Sequence, residues 1–219
     1  MTTGPVVAVV LAAGESRRMG RLKPLLPYGS ATVIQAVVRS LKASPVDQVR
    51  VVLGHRREEI EARLQGEGVA CISNPAYTDG MLTSVQVGMA TAPESTEWFV
   101  IALGDQPSIR PKTVDLLLQA AQGCLGEEPP ATIVVPSYGG RRGHPLVIHA
   151  RHRAEIGALP AEVGLRELLR RHPEAIRHVD VPEESVLHDM DTPEDYEREL
   201  RRLGEEAHSE ERIAGEAVD

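Results

Sequence analysis

The chain of 219 residues has few aromatic side chains, two cysteines and no long apolar run. Because aromatic residues are only 3% of the sequence, the core must be built mainly from Val, Leu, Ile and Ala, which favours layered strands and helices. Cys71 and Cys124 belong to no C-x-x-C pair, so the sequence contains no zinc or redox motif. We expect both thiols to be buried and structural.

No stretch approaches the ~20 apolar residues that a membrane-spanning helix requires. The apolar run at 6–13 differs from the core of a signal peptide, because no basic side chain precedes it and Gly14 follows directly. We therefore expect a cytoplasmic protein with no membrane partner.

Basic residues are outnumbered by acidic ones, 24 Lys and Arg against 32 Asp and Glu. The formal net charge is −8, and no basic run with interleaved aromatics offsets it. A nucleic-acid partner is therefore not expected, because an acidic protein repels a polyanion. A local exception is the cluster of Arg17, Arg18, Arg21 and Lys23, which suits a small phosphorylated ligand.

What the sequence does contain is an alternation of strand-like and helix-like segments. Runs rich in β-branched residues predict strands at 6–11, 49–53, 69–73, 98–103, 132–136 and 176–181. Spacings of three and four residues predict helices at 32–43, 56–65, 82–92, 112–123 and 193–203. This order is typical of βαβ crossovers, so we predict a single α/β domain with a Rossmann-like, three-layer fold.

Two further features define the predicted domain. The sheet is expected to be mostly parallel but mixed, because a turn at 138–143 and a strand-like segment at 145–148 indicate a hairpin. Apolar periodicity fades from Gly204 onward. We therefore assign 1–203 to the folded domain and 204–219 to an acidic, flexible tail.

A segment with two glycines, Leu11 to Lys23, follows the first predicted strand. Its small residues would let backbone amides approach phosphate oxygens, while Arg17, Arg18 and Lys23 would offset the phosphate charge. It lacks both the Gly-x-Gly-x-x-Gly order of a dinucleotide loop and the Gly-Lys-Ser/Thr ending of a P-loop. We interpret it as a triphosphate-binding loop, the alternative being an ordinary strand-to-helix turn.

Carboxylates occur at two other positions suited to a metal. Asp105 follows the predicted strand at 98–103, where Mg²⁺ commonly finds carboxylate and phosphate oxygens. Asp189 and Asp191 lie on the same side of an extended segment, so one of them is a candidate to complete the site. The structural alternatives are a turn cap at Asp105 and a helix start just after Asp191.

Four motifs span most of the chain. They are LAAGESRRMGRLK at 11–23, GDQP at 104–107, RGHP at 142–145 and DMDTPEDY at 189–196. Together they resemble the nucleotidyltransferase family that matures the molybdenum cofactor, most closely its cytidylyltransferases. The resemblance implies a fold of the nucleotide-diphospho-sugar transferase type. It also implies Mg²⁺-dependent transfer of CMP from CTP to the terminal phosphate of molybdenum-molybdopterin, with release of pyrophosphate.

The resemblance implies roles for individual residues. The nucleotide contacts would be Leu11, Ala12, Ala13, Gly14, Arg18, Lys23, Gly80, Ser84, Gly104 and Asp105. The catalytic set would be Lys23, Arg17, Arg18 and Asp105, and the metal ligands would be Asp105 and Asp191. Ala13 stands where guanylyltransferase relatives commonly have a second glycine, which favours CTP over GTP.

On the acceptor side, the resemblance implies contacts from Gln106, Pro107, Arg142, Gly143, His144 and Pro145. We interpret His144 as an orienting group, because an acceptor phosphate is already ionised at neutral pH and needs no general base. His149 and His152 are expected to be surface histidines rather than metal ligands. The sequence AEVGLR at 161–166 departs from the Gly-Asp-x-Gly-Ala-Arg that the family often carries.

Two other functions fit parts of the sequence. One is an NAD(P)H-dependent oxidoreductase of the same superfamily acting on a heterocyclic substrate. The missing dinucleotide loop and the lack of an acidic residue after the second strand, at 51–55, argue against it. The other is a chaperone that delivers molybdenum cofactor, which would need neither Asp105 nor Asp191. The expected partners are CTP and a molybdopterin-type molecule, with transient contact to a molybdenum hydroxylase or its chaperone.

Overall fold

The computed structural model describes residues 4–124 and 130–216, the last segment, 206–216, by its backbone alone. In this part the strands are β1 (Val6–Ala12), β2 (Pro27–Tyr28), β3 (Ala31–Thr32), β4 (Gln48–Leu53), β5 (Ala70–Ser73), β6 (Trp98–Leu103), β7 (Ile133–Tyr138), β8 (Arg141–Arg142), β9 (Leu146–His149) and β10 (Ile176–Asp180). The helices are α1 (Val33–Lys42), α2 (Arg57–Leu64), α3 (Met81–Ala90), α4 (Pro111–Cys124), α5 (Arg153–Ala158), α6 (Arg166–Arg171) and α7 (Pro193–Glu216). Strands and helices alternate as predicted.

The main sheet has the order β10-β7-β9-β6-β1-β4-β5, with the short β8 paired to β7. Strand β1 lies between β6 and β4 and is parallel to both. Strand β9 is antiparallel to its neighbours β6 and β7. The predicted mixed, mostly parallel α/β sheet is therefore confirmed, and the antiparallel strand lies where the hairpin was expected.

The central strand β1 is apolar throughout because both faces of the sheet are covered. Val6, Ala8 and Val10 belong to a core that includes buried residues of α1, α2 and α4. Val7 and Val9 belong to a second core that includes residues of α3, α5 and α6. A continuous apolar run is what a parallel strand needs when helices pack on both sides. The result is the predicted three-layer arrangement.

Helix α7 begins as the sequence indicates but ends later. The Asp195 amide donates to Thr192 Oγ1 at 3.3 Å, and the Thr192 amide donates to Asp195 Oδ2 at 2.9 Å, which caps the first turn. The predicted helix end at 203 is wrong, because the backbone remains helical to Glu216. Glu, Ala and Arg have high intrinsic helix propensity, so this polar sequence needs no apolar periodicity to stay helical. The separation of a domain from a tail at 203 stays a prediction, and 217–219 lie outside the described residues.

Several short elements and one thiol differ from expectation. Strands β2, β3 and β8 and helices α5 and α6 were not predicted, because two to six residues are too few to show a period. Cys124 is buried as expected, whereas Cys71 on β5 is only partly buried. Within the described residues, no helix combines the length and apolar character that crossing a bilayer requires.

A substitution at Gly88 tests the packing between α3 and the sheet. A Cβ atom there would lie 2.3 Å from Val9 Cγ1 and 3.0 Å from Val52 Cγ2. We expect Gly88→Ala to lower the free energy of unfolding by about 1–3 kcal/mol, because β-branched side chains in a close-packed core have little room to retreat. Urea unfolding followed by circular dichroism measures this.

Gly123 in α4 is the matched control, since a Cβ there meets no atom of the described residues within 4 Å. Gly123→Ala should raise the free energy of unfolding by about 0.5–1 kcal/mol, the usual gain in a helix. Equal effects of the two substitutions would contradict the close contact at Gly88.

Candidate functional site

A cavity of about 340 Å³ opens where β1 and β6 end, the edge at which parallel sheets commonly bind ligands. Nine of the ten residues predicted to contact a nucleotide line it, namely Leu11, Ala12, Ala13, Gly14, Arg18, Lys23, Ser84, Gly104 and Asp105. Asp189 and Asp191 line it as well. The tenth residue, Gly80, lines a neighbouring cavity. The fold thus brings together residues that are distant in the sequence.

The loop after β1 is held in a sharply turned conformation. Ser16 has φ of 55°, an uncommon left-handed conformation for a residue with a side chain, and Gly20 has φ of 66°. Hydrogen bonds hold the turn: the Lys23 amide donates to Ser16 Oγ at 3.1 Å, and the Met19 amide donates to the Ser16 carbonyl at 3.1 Å. Backbone strain of this kind persists only when its surroundings enforce it. In this loop the sharp turn directs the chain back, so that Lys23 lies beside the carboxyl ends of the strands.

Gly104 allows β6 to end close beside β1. A Cβ atom at this position would lie 2.9 Å from both Ala12 Cβ and the Leu11 carbonyl oxygen, and the Gly104 amide donates to that oxygen at 3.0 Å. Any side chain would push the two strand ends apart. The approach places Asp105 next to Lys23.

Lys23 lies between two carboxylates. Its Nζ is 2.9 Å from Asp105 Oδ2 and 2.7 Å from Asp191 Oδ1, and only 11% of its side chain is exposed. Arg18 Nη2 lies 2.7 Å from Asp191 Oδ2. Burial disfavours the charge on Lys23, but the attraction of Asp105 and hydrogen bonds to both carboxylates outweigh it and raise the pKa of Lys23. The ammonium group therefore stays charged at neutral pH.

Two neighbouring carboxylates have opposite electrostatic surroundings. The hydrogen bond from Lys23 lowers the pKa of Asp191. Asp189 is open to the cavity on one side, yet desolvation by the surrounding protein raises its pKa, and the charge on Asp105 adds to the effect. Gln106 Nε2 donates to Asp189 Oδ1 at 2.7 Å and fixes its orientation.

The charges and donor atoms of this site fit a divalent cation. Asp105, Asp189 and Asp191 offer the carboxylate oxygens that Mg²⁺ and Mn²⁺ prefer, and they face a cavity large enough for phosphates. Lys23 and Arg18 balance only part of that negative charge. Asp105 and Asp191 both contact Lys23, so they face the same part of the cavity.

A second cavity of about 800 Å³ adjoins the first and shares Leu11 and Met81 with it. The predicted acceptor residues Arg142, Gly143 and His144 line this cavity, together with the segment 161–166. Burial lowers the pKa of His144, against a weaker opposing effect of Asp105, so its imidazole is neutral at pH 7. A neutral ring agrees with a hydrogen-bonding role.

The other predicted residues lie outside both cavities. Gln106, Pro107 and Pro145 are buried, and the amide of Gln106 is already engaged with Asp189. Arg17 lines a shallower recess of about 370 Å³, and its exposed guanidinium pairs with Glu15.

The expectation that His149 and His152 are surface residues is wrong. His152 is buried, and its Nε2 lies 2.7 Å from Thr132 Oγ1. His149 is half-buried, with its ring edge-on to Trp98 at 4.8 Å between centroids. His149 is the last residue of β9 and His152 lies three residues later, so packing with distant parts of the chain sets their burial, which local sequence does not reveal.

Sequence reasoning missed Asn74, Tyr77 and Met81. Asn74 is fully buried, and its Nδ2 donates to Thr83 Oγ1 and Ser84 Oγ at 2.9 Å each, which holds the start of α3. Tyr77 and Met81 line the 340 Å³ cavity. Asn74 directly follows β5, so the rule that sites gather at strand ends could have found it.

A three-layer α/β fold with a basic loop facing carboxylates at the strand ends defines a protein of the nucleotidyltransferase type. A model of the MobA-like NTP transferase domain matches residues 8–176. The chain belongs to this family.

Two curated relatives are similar over most of the chain. The nicotine blue oxidoreductase of Paenarthrobacter nicotinovorans is 32% identical over 198 residues, which cover 89% of this chain and 96% of that protein. The molybdenum cofactor cytidylyltransferase of Escherichia coli (strain K12) is 25% identical over 189 residues, covering 86% and 92%. The chain is thus similar to proteins whose names state different activities.

Solved structures agree with the assignment of the chain to the NTP transferase family. Rv0371c from Mycobacterium tuberculosis H37Rv has a TM-score of 0.78 and 27% identity, covering 92% of this chain and all of that one. A nucleotidyl transferase from Methanothermobacter thermautotroptrophicus has a TM-score of 0.79 and 26% identity, covering 91% and 97%. Rv0371c has also been solved in complex with manganese, with a TM-score of 0.72, 27% identity and coverage of 90% and 98%.

The contrast between Asp189 and Asp191 can be tested in metal-free buffer. At pH 7 we expect Asp191→Asn to lower the melting temperature, because the fold favours the charge on Asp191. Asp189→Asn should raise it by a smaller amount, because the fold disfavours that charge and the exposed side chain is screened by water. Thermal unfolding monitored by circular dichroism measures both.

The pH dependence follows from the signs of the two shifts. The contribution of Asp191 is complete above the ordinary Asp pKa of 3.8 and is lost as the pH falls through its lower folded value. The penalty at Asp189 appears only as the pH rises from 3.8 through its higher folded value. The Asp189 difference should therefore disappear as the pH falls to about 4, whereas the Asp191 difference should shrink only below about 4. Shifts of equal sign at pH 7 would refute the contrast.

Proposed function

We propose that this chain is a magnesium-dependent nucleotidyltransferase that transfers CMP from CTP to the terminal phosphate of molybdenum-molybdopterin and releases pyrophosphate. The observation that carries the proposal is the position of Lys23, within 2.9 Å of both Asp105 and Asp191 at the cavity that opens on the strand ends. The named cytidylyltransferase relative and the manganese complex of a structural neighbour support it.

The proposed reaction requires alignment and charge neutralisation more than proton transfer. An oxygen of the acceptor phosphate bonds to the α-phosphorus of CTP while the bond from that phosphorus to the β-phosphate oxygen breaks. Mg²⁺ held by Asp105 and Asp191 would neutralise developing negative charge on the phosphates. Lys23 and Arg18 would exchange their carboxylate partners for phosphate oxygens, and the turned loop at Ser16 keeps Lys23 in reach.

The two cavities support a two-substrate reaction. Leu11 and Met81 line both of them, so ligands in the 340 Å³ and 800 Å³ spaces would meet at this boundary. Arg142 supplies a positive charge to the larger cavity, and neutral His144 supplies a hydrogen-bonding ring. An acceptor that carries a phosphate on a large heterocycle matches this combination of volume and charge.

The choice of CTP rests on Ala13. Its side chain lines the smaller cavity and is almost fully buried, so its methyl group reduces the space beside the loop. A smaller pyrimidine base is therefore favoured over guanine.

A second candidate is the oxidoreductase activity that names the relative with 32% identity. That reaction would require a nicotinamide cofactor rather than a triphosphate. The basic loop paired with Asp105 and Asp191 supports the transferase, because a hydride transfer has no need of a shared cation site. The two candidate functions can be distinguished by whether the chain binds a nucleoside triphosphate or a nicotinamide cofactor.

Asp105→Asn should reduce kcat by at least about 100-fold, because it removes a carboxylate that would hold the Mg²⁺ needed to neutralise charge on the phosphates of CTP. Pyrophosphate release is measured with CTP, Mg²⁺ and molybdenum-molybdopterin. Asp115→Asn makes the same chemical change on α4, where the carboxylate accepts a hydrogen bond from Gln119 outside both cavities, and should leave the rate unchanged. Activity of Asp105→Asn within twofold of the native chain would refute the assignment.

Thermal unfolding with CTP, GTP or NADPH, each with and without Mg²⁺, distinguishes the candidates. CTP with Mg²⁺ at 100 times its Kd should stabilise the chain by about 2.7 kcal/mol, and EDTA should reverse much of this. GTP should protect less at the same concentration. Protection by NADPH alone would favour the oxidoreductase, and no protection by either triphosphate would contradict the transferase.

A further inference from the structure

Two histidines and one glutamate converge away from both cavities. His152 precedes α5, Glu155 lies in its first turn, and His172 directly follows α6. One nitrogen or carboxylate oxygen from each lies within 4.8 Å of the other two. In the part of the chain that the structure describes, this is the one group of His, Cys, Asp and Glu with such spacing.

The buried His152 ring has the orientation that a metal ligand needs. Its Nε2 lies 2.7 Å from Thr132 Oγ1, which leaves Nδ1 facing Glu155 Oε2 at 3.8 Å. Metal-binding histidines commonly have their second ring nitrogen held by such a partner.

The other two side chains have charged neighbours on their outer sides. His172 Nε2 lies 2.7 Å from Glu155 Oε2, while His172 Nδ1 lies 4.0 Å from Glu174 Oε1. Arg171 Nη1 lies 3.4 Å from Glu155 Oε1, the oxygen that faces away from the histidines. The remaining oxygen, Oε2, is therefore shared by both imidazoles.

One separation between Glu155 Oε2 and an imidazole nitrogen is shorter, and the other longer, than the separation of ligand atoms around a tetrahedral metal ion. Bonds of about 2.0–2.2 Å at tetrahedral angles place neighbouring ligand atoms about 3.3–3.5 Å apart. Glu155 Oε2 lies 2.7 Å from His172 Nε2 and 3.8 Å from His152 Nδ1. All three ligand atoms lie within 4.8 Å of one another, and the partly exposed side chains of Glu155 and His172 can rotate to adjust these separations.

We propose that His152, Glu155 and His172 form a transition-metal site of the zinc class, with water as a fourth ligand. Two imidazole nitrogens and one carboxylate oxygen select zinc over magnesium, so the site differs chemically from Asp105 and Asp191. The metal links the start of α5 to the end of α6. The chain between them includes 161–166, which lines the 800 Å³ cavity, so the metal braces one wall of that cavity.

Isothermal titration of the metal-stripped full chain with Zn²⁺, in excess Mg²⁺, tests the proposal. Mg²⁺ occupies the carboxylate site at the strand ends, so nitrogen-containing sites dominate the Zn²⁺ signal. We expect one Zn²⁺ per chain, with affinity reduced at least about 10-fold by Glu155→Gln and by His172→Gln. Both side chains are partly exposed, so the variants should fold, which circular dichroism checks.

His178→Gln is the matched control, because His178 is an exposed histidine on β10 that contacts Arg142 and lies outside the cluster. It should bind Zn²⁺ like the native chain. Co²⁺ gives an independent result on the native chain, since tetrahedral nitrogen ligation produces strong visible absorption. Absence of Zn²⁺ binding, unchanged affinity in both cluster variants, equal loss in the control, or only weak octahedral Co²⁺ absorption would overturn the proposal.

Discussion

The contacts of Lys23 with Asp105 and Asp191 are the interaction on which the site depends. They join residues 82 and 168 positions apart, from the loop after β1, the end of β6 and the segment before α7. Such a buried ammonium group is stable only when hydrogen-bonded charges compensate its desolvation. The same contacts keep two carboxylates close despite their mutual repulsion. Lys23 therefore organises the negative charges of the site before any ligand arrives.

The rest of the fold holds these three segments in place. Helices cover both faces of the sheet, so the strand ends are where loops can form cavities. Helix α7 anchors the loop from outside: Tyr196 and Leu200 pack against a core formed by Met19 and Leu26, and Tyr196 Oη donates to the Pro27 carbonyl at 2.6 Å. This packing brings Asp191, just before α7, to the basic loop. The C-terminal helix is thus part of the site's support.

Sequence reasoning succeeded where the signal is local and long. The six strand-like runs and five helical segments correspond to described elements, because β-branched runs and spacings of three and four residues extend over several residues. It failed for α5, α6 and the end of α7, where the segment is too short or its polar residues show no apolar period. It also missed the burial of His152, because the packing that covers this ring comes from chain segments distant in sequence.

The sequence by itself determined the α/β class, the apolar central strand, the Thr192 cap and the motifs that place the chain in its family. These depend on side-chain period, backbone restrictions and residue identity, all of which act over short distances along the chain. Only the tertiary structure decided that Lys23 lies between Asp105 and Asp191, that Gln106 holds Asp189, and that His152 meets Glu155 and His172. Those distances depend on how the sheet and helices pack, because the chain itself does not fix the distance between residues that are far apart in sequence.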